Sequence, residues 1–279
     1  MAVRIVTDSS SGLPADVVEE LGITVLDLHV LDREGREEAS TSGLGSLELA
    51  AAYARQLERG GDDGVVALHL SNQLSSTYSA AVTASGVFDD KVRIVDTASV
   101  GMAVGAAAMA AASLALSGAS LDECQAKAEE TLRNSATWVY LHRIDEMRRS
   151  GRISTGTAIM SAALLAIKPI MEIREGRLEL AGKTRTQTKA FAKLVELVLE
   201  RTKGEPAFVA IQHNDAELAA QQLRDLLEEI LPAGSSFMVL PLTPALAIHT
   251  GAGAIGVSAV YTAEQDTASD EQPSTHPAE

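Results

Sequence analysis

Three hydroxyl side chains, Ser75, Ser76 and Thr77, stand in a row between an apolar, β-branched run (residues 65–70) and a helix-forming run (residues 75–85). No Lys, Arg, Asp or Glu occurs from Gly64 to Phe88. A strand that feeds a helix presents unpaired backbone N–H groups and about half a positive charge at the helix start. Hydroxyls added to such a start make a site for an anion that needs no cation. This chemistry suits a carboxylate entering an apolar cavity, because a buried Lys or Arg would bring its own desolvation penalty. The same residues also serve as an ordinary helix cap, and this segment alone leaves both readings open.

Other residues offer further chemistry. Thr41 and Ser42 close a polar loop, residues 32–40, ahead of a helix expected from Ser46. His249 precedes a glycine-rich turn, and its imidazole can donate to an anion. Gly251-Ala252-Gly253-Ala254-Ile255-Gly256 spells the dinucleotide fingerprint. Residues 257–261 read as a strand where that fold needs a helix, so no dinucleotide cofactor is expected. Arg152, Lys168, Lys183, Arg185 and Lys189 form a basic group suited to phosphate or an acidic partner, or to plain surface charge. Asp8 and Asp96 end strands at the edge where α/β folds bind ligands. The spacing pairs neither with a nucleophile and a base. The histidines lack metal-ligand spacing, and the single cysteine, Cys124, excludes an internal disulfide and a Cys-built metal site. No metal is expected.

These residues need a framework. The first part alternates strands (3–7, 23–30, 65–70, 92–95) with helices (14–21, 46–58, 75–85, 100–116, 121–133). Alternation of this kind implies a parallel sheet covered by helices, here a three-layer α/β/α domain over residues 1–136. The pattern then changes. A strand at 138–141 leads to a short helix at 144–149 and a small-residue helix at 155–165. A hairpin of 167–174 and 177–182 turns at Glu175-Gly176. Helices at 187–201 and 216–231 and strands at 207–212, 237–240 and 255–261 complete a mixed-sheet α/β domain, residues 137–262. Residues 263–279 are rich in Ser, Thr, Pro and acidic residues and are expected to form a disordered acidic tail.

Composition narrows the partners. The chain has 279 residues, a formal net charge of -15 and 3% aromatic residues. Repulsion and the shortage of stacking rings argue against nucleic acid, and the charge argues against anionic membranes as general partners. Residues 97–121 carry no charge but are mostly Ala, Gly and Ser, which predicts a tightly packed internal helix rather than a membrane span. The chain opens directly on a strand, so no signal peptide is expected, and with one cysteine a cytoplasmic location is the expectation.

Several short segments occur in an order that resembles the DegV family of bacterial fatty-acid-binding proteins. They are Ile5-Val6-Thr7-Asp8-Ser9-Ser10, Leu74-Ser75-Ser76-Thr77-Tyr78, Val95-Asp96-Thr97-Ala98-Ser99 with Gly101-Met102, Gly151-Arg152-Ile153, Ile167-Lys168-Pro169-Ile170, Lys183-Thr184-Arg185-Thr186 and His249-Thr250-Gly251-Ala252-Gly253. The resemblance spans the chain from about Val3 to Val260. It implies two α/β domains with one long-chain fatty acid in a tunnel between them. It also implies a carboxylate held by Ser75 and Thr41, with Ser42, the Ser76 N–H and His249 beside it. Arg152 and Arg185 would lie near the mouth, where such proteins present the acyl group to a fatty-acid kinase for acyl-phosphate formation in phospholipid metabolism. The carrier would not be the catalyst, would need no cofactor beyond its ligand, and would touch membranes transiently. Two segments depart from the family pattern. Its Thr-Ser-Gln-Pro-Ser loop reads here Thr41-Ser42-Gly43-Leu44-Gly45-Ser46, and Ser76 replaces a Gly, adding a hydroxyl and bulk beside the head group. Two rivals remain: an acyl hydrolase or transferase using Ser75 or Ser76 with His249, and a regulatory protein with a vestigial pocket.

Overall fold

The computed structural model describes residues 2–31, 40–153 and 167–261. The expected helix at 155–165, most of the polar loop at 32–40 and the expected tail at 263–279 lie outside the described residues.

The N-terminal half builds β1 (Arg4–Asp8), α1 (Ala15–Leu21), β2 (Thr24–Leu26), β3 (His29–Leu31), β4 (Ser40–Ser42), α2 (Ser46–Gly60), β5 (Val65–His69), α3 (Thr77–Ser85), β6 (Val92–Asp96), α4 (Met102–Leu116) and α5 (Leu121–Arg133). Four of these strands form a parallel sheet in the order β2-β1-β5-β6. Its strands are apolar on both faces because helices cover both. On one face Ile5, Val66 and Leu68 pack against Val104, Ala108 and Ala111 of α4. On the other, Val6, Val65 and Ala67 pack against Leu49, Tyr53 and Leu57 of α2. The three-layer arrangement read from the alternation is therefore the arrangement observed.

The expected strand over 23–30 is broken in two. β2 stays in the parallel sheet, whereas β3 leaves it and pairs antiparallel with β4, Thr41 lying opposite Val30. Thr41 and Ser42, expected at the end of a loop, thus sit on a short strand.

The C-terminal half builds β7 (Ser135–Tyr140), α6 (Asp145–Arg149), β8 (Lys168–Arg174), β9 (Arg177–Thr184), α7 (Gln187–Thr202), β10 (Ala207–His213), α8 (Glu217–Ile230), β11 (Ser236–Pro241), α9 (Pro244–Thr250) and β12 (Ile255–Tyr261). Its sheet runs β11-β10-β12-β7-β8-β9, with only the β10–β11 pair parallel. Alternation along these strands assigns the two faces. Trp138, Tyr140, Val209, Ile211 and Val257 point to the core under α7 and α8. Thr137, Val139 and Gln212 point the other way, towards the N-terminal half, and α4 packs on β7 and β12 from that side. The small residues of α4, most of them fully buried, let the two halves approach closely. The glycine run at 251–256 turns α9 into β12, a strand and not the helix that a dinucleotide site needs.

Candidate functional site

A turn, not a helix, carries the first two hydroxyls of the Ser-Ser-Thr run. The N–H groups of Leu74 and Ser75 both donate to the Ser71 carbonyl, at 3.0 and 3.1 Å, and α3 begins only at Thr77. The helix start expected at Ser75 is displaced by two residues because this turn comes first. Ser75 Oγ then accepts from the Thr77 N–H at 3.2 Å and lies 3.0 Å from Thr77 Oγ1. Ser76, the residue just before α3, makes no side-chain capping bond.

The segment after β4 closes on this turn. Leu44 N–H donates to Thr77 Oγ1 at 3.2 Å. A Cβ on Gly43 would lie 2.8 Å from Thr77 Oγ1, 3.0 Å from Ser75 Oγ and 3.1 Å from Ser76 Oγ. Only a residue without a side chain brings the backbone that close to three hydroxyls.

His249 arrives from a distant part of the chain. It lies in the last turn of α9, a helix with Pro244 at its first position and Gly251 after its end. His249 does precede the glycine-rich turn, and the helix that carries it, absent from the expected elements, has the usual signals of Pro at its start and Gly past its end. His249 Nε2 lies 2.7 Å from Thr41 Oγ1. Burial, and secondarily the charge of Arg152, hold its pKa below the ordinary imidazole value.

These groups form the polar end of one cavity of about 320 Å³, at the lower end of the ~300–1,000 Å³ usual for small-molecule sites. Thr41, Ser42, Ser75, Ser76, Arg152 and His249 all line it. The remaining wall is mostly apolar and comes from both halves: Leu70, Leu74 and Val100 from one, Val139, Leu178 and Leu246 from the other. Arg185 is exposed and lies outside this lining, so the two arginines expected together at the mouth do not share the cavity wall. Thr77, grouped in the sequence with Ser75 and Ser76, stands behind Ser75 and outside the lining. Gly43 is an addition to the expected site, because its approach to these hydroxyls is long-range and leaves no local signal.

Among the described residues no nucleophile–base pair is formed here. His249 bonds Thr41 and not Ser75 or Ser76. His69, a buried histidine beside a carboxylate, lies between Asp8 Oδ2 at 3.0 Å and the Tyr53 hydroxyl at 2.8 Å, outside the cavity lining. Among the described residues no group of three or more His, Cys, Asp or Glu side chains is placed to hold a metal ion. None of the described helices is long and apolar enough to cross a membrane.

The fold and cavity define a class: an α/β protein of two main sheets with a mostly apolar pocket lined at one place by hydroxyls. The chain belongs to the DegV family, since residues 31–262 match the family model described as "Uncharacterised protein, DegV family". The crystal structure of a DegV family protein from Corynebacterium glutamicum superposes with a TM-score of 0.91 at 62% identity, covering 94% of this chain and 99% of that one. A DegV family protein from Thermus thermophilus, reported for its fatty-acid binding, gives a TM-score of 0.85 at 29% identity over 94% and 100% of the two chains. DegV of Bacillus subtilis, described as a fatty-acid-binding protein, gives 0.81 at 26% identity over the same shares.

Proposed function

We propose that this protein binds one long-chain fatty acid in the cavity between its two halves. The carboxylate lies at Thr41, Ser42, Ser75 and Ser76, with the Ser76 N–H and His249 beside it. The observation that carries this reading is an apolar cavity whose polar end is a cluster of hydroxyls. Each buried CH2 contributes roughly 0.8 kcal/mol, so the acyl chain supplies the driving force. The hydroxyls fix its orientation and spare the carboxylate an unsatisfied burial. The fatty-acid binding reported for the Thermus and Bacillus proteins supports the assignment.

The protein acts as a carrier without a cofactor of its own, in the cytoplasm, built from domains that divide near residue 136. It presents the acyl head to a fatty-acid kinase, with Arg152 beside the head group and Arg185 on the nearby surface as contacts for that partner or its phosphate. The pairing of His249 with Thr41, and not with Ser75 or Ser76 among the described residues, supports binding over acyl hydrolysis.

Native mass spectrometry of the purified protein, followed by solvent extraction, tests the reading. One fatty acid released per chain is the expected result. A bound nucleotide or metal, no uptake of added fatty acid, or turnover of an acyl ester that is lost in His249→Ala would overturn it.

A further inference from the structure

Thr77 is fully buried and does not line the cavity, yet both hydroxyl-bearing segments meet on it. A threonine hydroxyl has one proton and two lone pairs. Thr77 Oγ1 accepts from the Leu44 N–H at 3.2 Å. Among the described residues its one side-chain neighbour within hydrogen-bonding distance is Ser75 Oγ, at 3.0 Å. If Ser75 were the donor of that bond, the buried Thr77 proton would be left without an acceptor, a costly arrangement. With the described residues as the available acceptors, the direction that strands no buried proton runs from Thr77 to Ser75. Ser75 Oγ also accepts from the Thr77 N–H at 3.2 Å, so both of its lone pairs are filled. Only its own proton remains free, on a residue that lines the cavity.

We propose that Thr77 is a positioning residue that fixes Ser75 as a donor-only hydroxyl towards the cavity, so that the site takes an ionised acyl carboxylate in preference to the corresponding fatty alcohol. An ionised carboxylate only accepts hydrogen bonds, and a bond to a charged acceptor is roughly twice as strong as one between neutral groups. An alcohol brings a proton for which Ser75 has no lone pair left. Gly43 keeps the arrangement open: a side chain there would push apart the Thr77, Ser75 and Ser76 hydroxyls. This inference rests on the fatty-acid reading above and adds the chemical form of the head group and the residue that selects it.

The test is a titration of the full chain with palmitic acid and with cetyl alcohol, made on the wild type, Thr77→Val, Thr77→Ser and Ser75→Ala, with thermal unfolding of each ligand-free protein alongside. The wild type is expected to prefer the acid by about tenfold or more. Thr77→Val keeps the shape but loses the hydroxyl and should reduce that preference by about tenfold. Thr77→Ser should restore it. A purely structural role would move the unfolding temperature and leave the acid-to-alcohol ratio alone. Ser75→Ala, which removes the donor itself, should lower the preference at least as much as Thr77→Val, and it serves as the test if Thr77→Val fails to fold. An unchanged ratio in Thr77→Val or in Ser75→Ala, in a protein that binds palmitic acid, overturns this inference alone. A wild type that takes neither lipid overturns the fatty-acid reading as well.

Discussion

Ser71 Oγ donates to the Gly176 carbonyl at 2.8 Å and so ties the tip of the β8–β9 hairpin to the turn that carries Ser75. The same Ser71 uses its own carbonyl to accept from Leu74 and Ser75. A neighbouring bond, Arg177 Nε to Gln73 Oε1 at 3.0 Å, reinforces the contact. The C-terminal half thereby braces the head-group turn of the N-terminal half.

Gly176 has a φ of +78°, and a Cβ there would run into Ser71 Oγ. Gly176→Ala is expected to destabilise the protein by roughly 1–2 kcal/mol from the left-handed backbone alone. It should also weaken fatty-acid binding, because the hairpin tip no longer seats on the turn. Denaturant midpoints and a fatty-acid titration read the two effects. Full binding together with full stability would remove the brace from the account.

The half-buried His249 makes stability depend on pH. Its folded-state pKa is lowered by burial and then by Arg152, so the unfolded chain takes up this proton first on acidification. Its contribution is complete above the ordinary imidazole value, about 6.5, and is lost as pH falls from there through the lower folded-state value. His249→Gln should flatten the fall in unfolding temperature on that side of neutrality. A residual slope should persist from His142, whose pKa is lowered by burial, Lys168 and Arg143. An identical profile in the variant would show that His249 is not held neutral.

A second buried titrating group lies outside the cavity. Burial on its own would raise the pKa of Asp8. The hydrogen bond and charge of His69, with the N–H groups of Ser10 and Leu70, outweigh it and hold the carboxyl below its usual value. The sign is that of a depressed carboxylate: the stabilisation is present above about 3.9 and lost as pH falls through the folded-state pKa. Asp8→Asn is expected to cost about 1–3 kcal/mol, since its amide nitrogen replaces an oxygen that accepts from Ser10 or from Leu70 and His69 and leaves buried donors facing one another. Urea unfolding near neutral pH measures it, and a loss below about 1 kcal/mol would place the pair among weak surface-type contacts.

Val139 projects from the sheet into the apolar part of the cavity. Val139→Phe fills space that the acyl chain would occupy. Lipid extracted from this variant should shift towards shorter chains while stability changes little, since Val139 is only half-buried. An unaltered chain-length distribution would mean that the chain runs elsewhere.

Local patterns carried most of the architecture. The β-branched runs at 65–70 and 92–95 and the intervening helices are parallel-sheet signals, and they became β5, inside the first sheet, and β6, at its edge. The Ala-rich stretch before residue 116 was legible as an internal helix because it carries no charge and almost no bulk. The failures have local causes too. β3 pairs with β4 instead of extending β2, a choice made by a partner strand that lies beyond residues 32–39. α3 starts at Thr77 and not at Ser75, after a turn in which Leu74 and Ser75 both donate to the Ser71 carbonyl.

The sequence by itself determined which residues carry hydroxyls in a charge-free stretch, and hence the kind of ligand end they suit. Only the tertiary structure decided that Thr41 meets His249 across 208 residues, that Gly43 rests on three hydroxyls, and that Thr77 stands behind Ser75. Propensity and periodicity act over a few residues, whereas these contacts depend on how two sheets pack about α4, and no short stretch of chain contains that information.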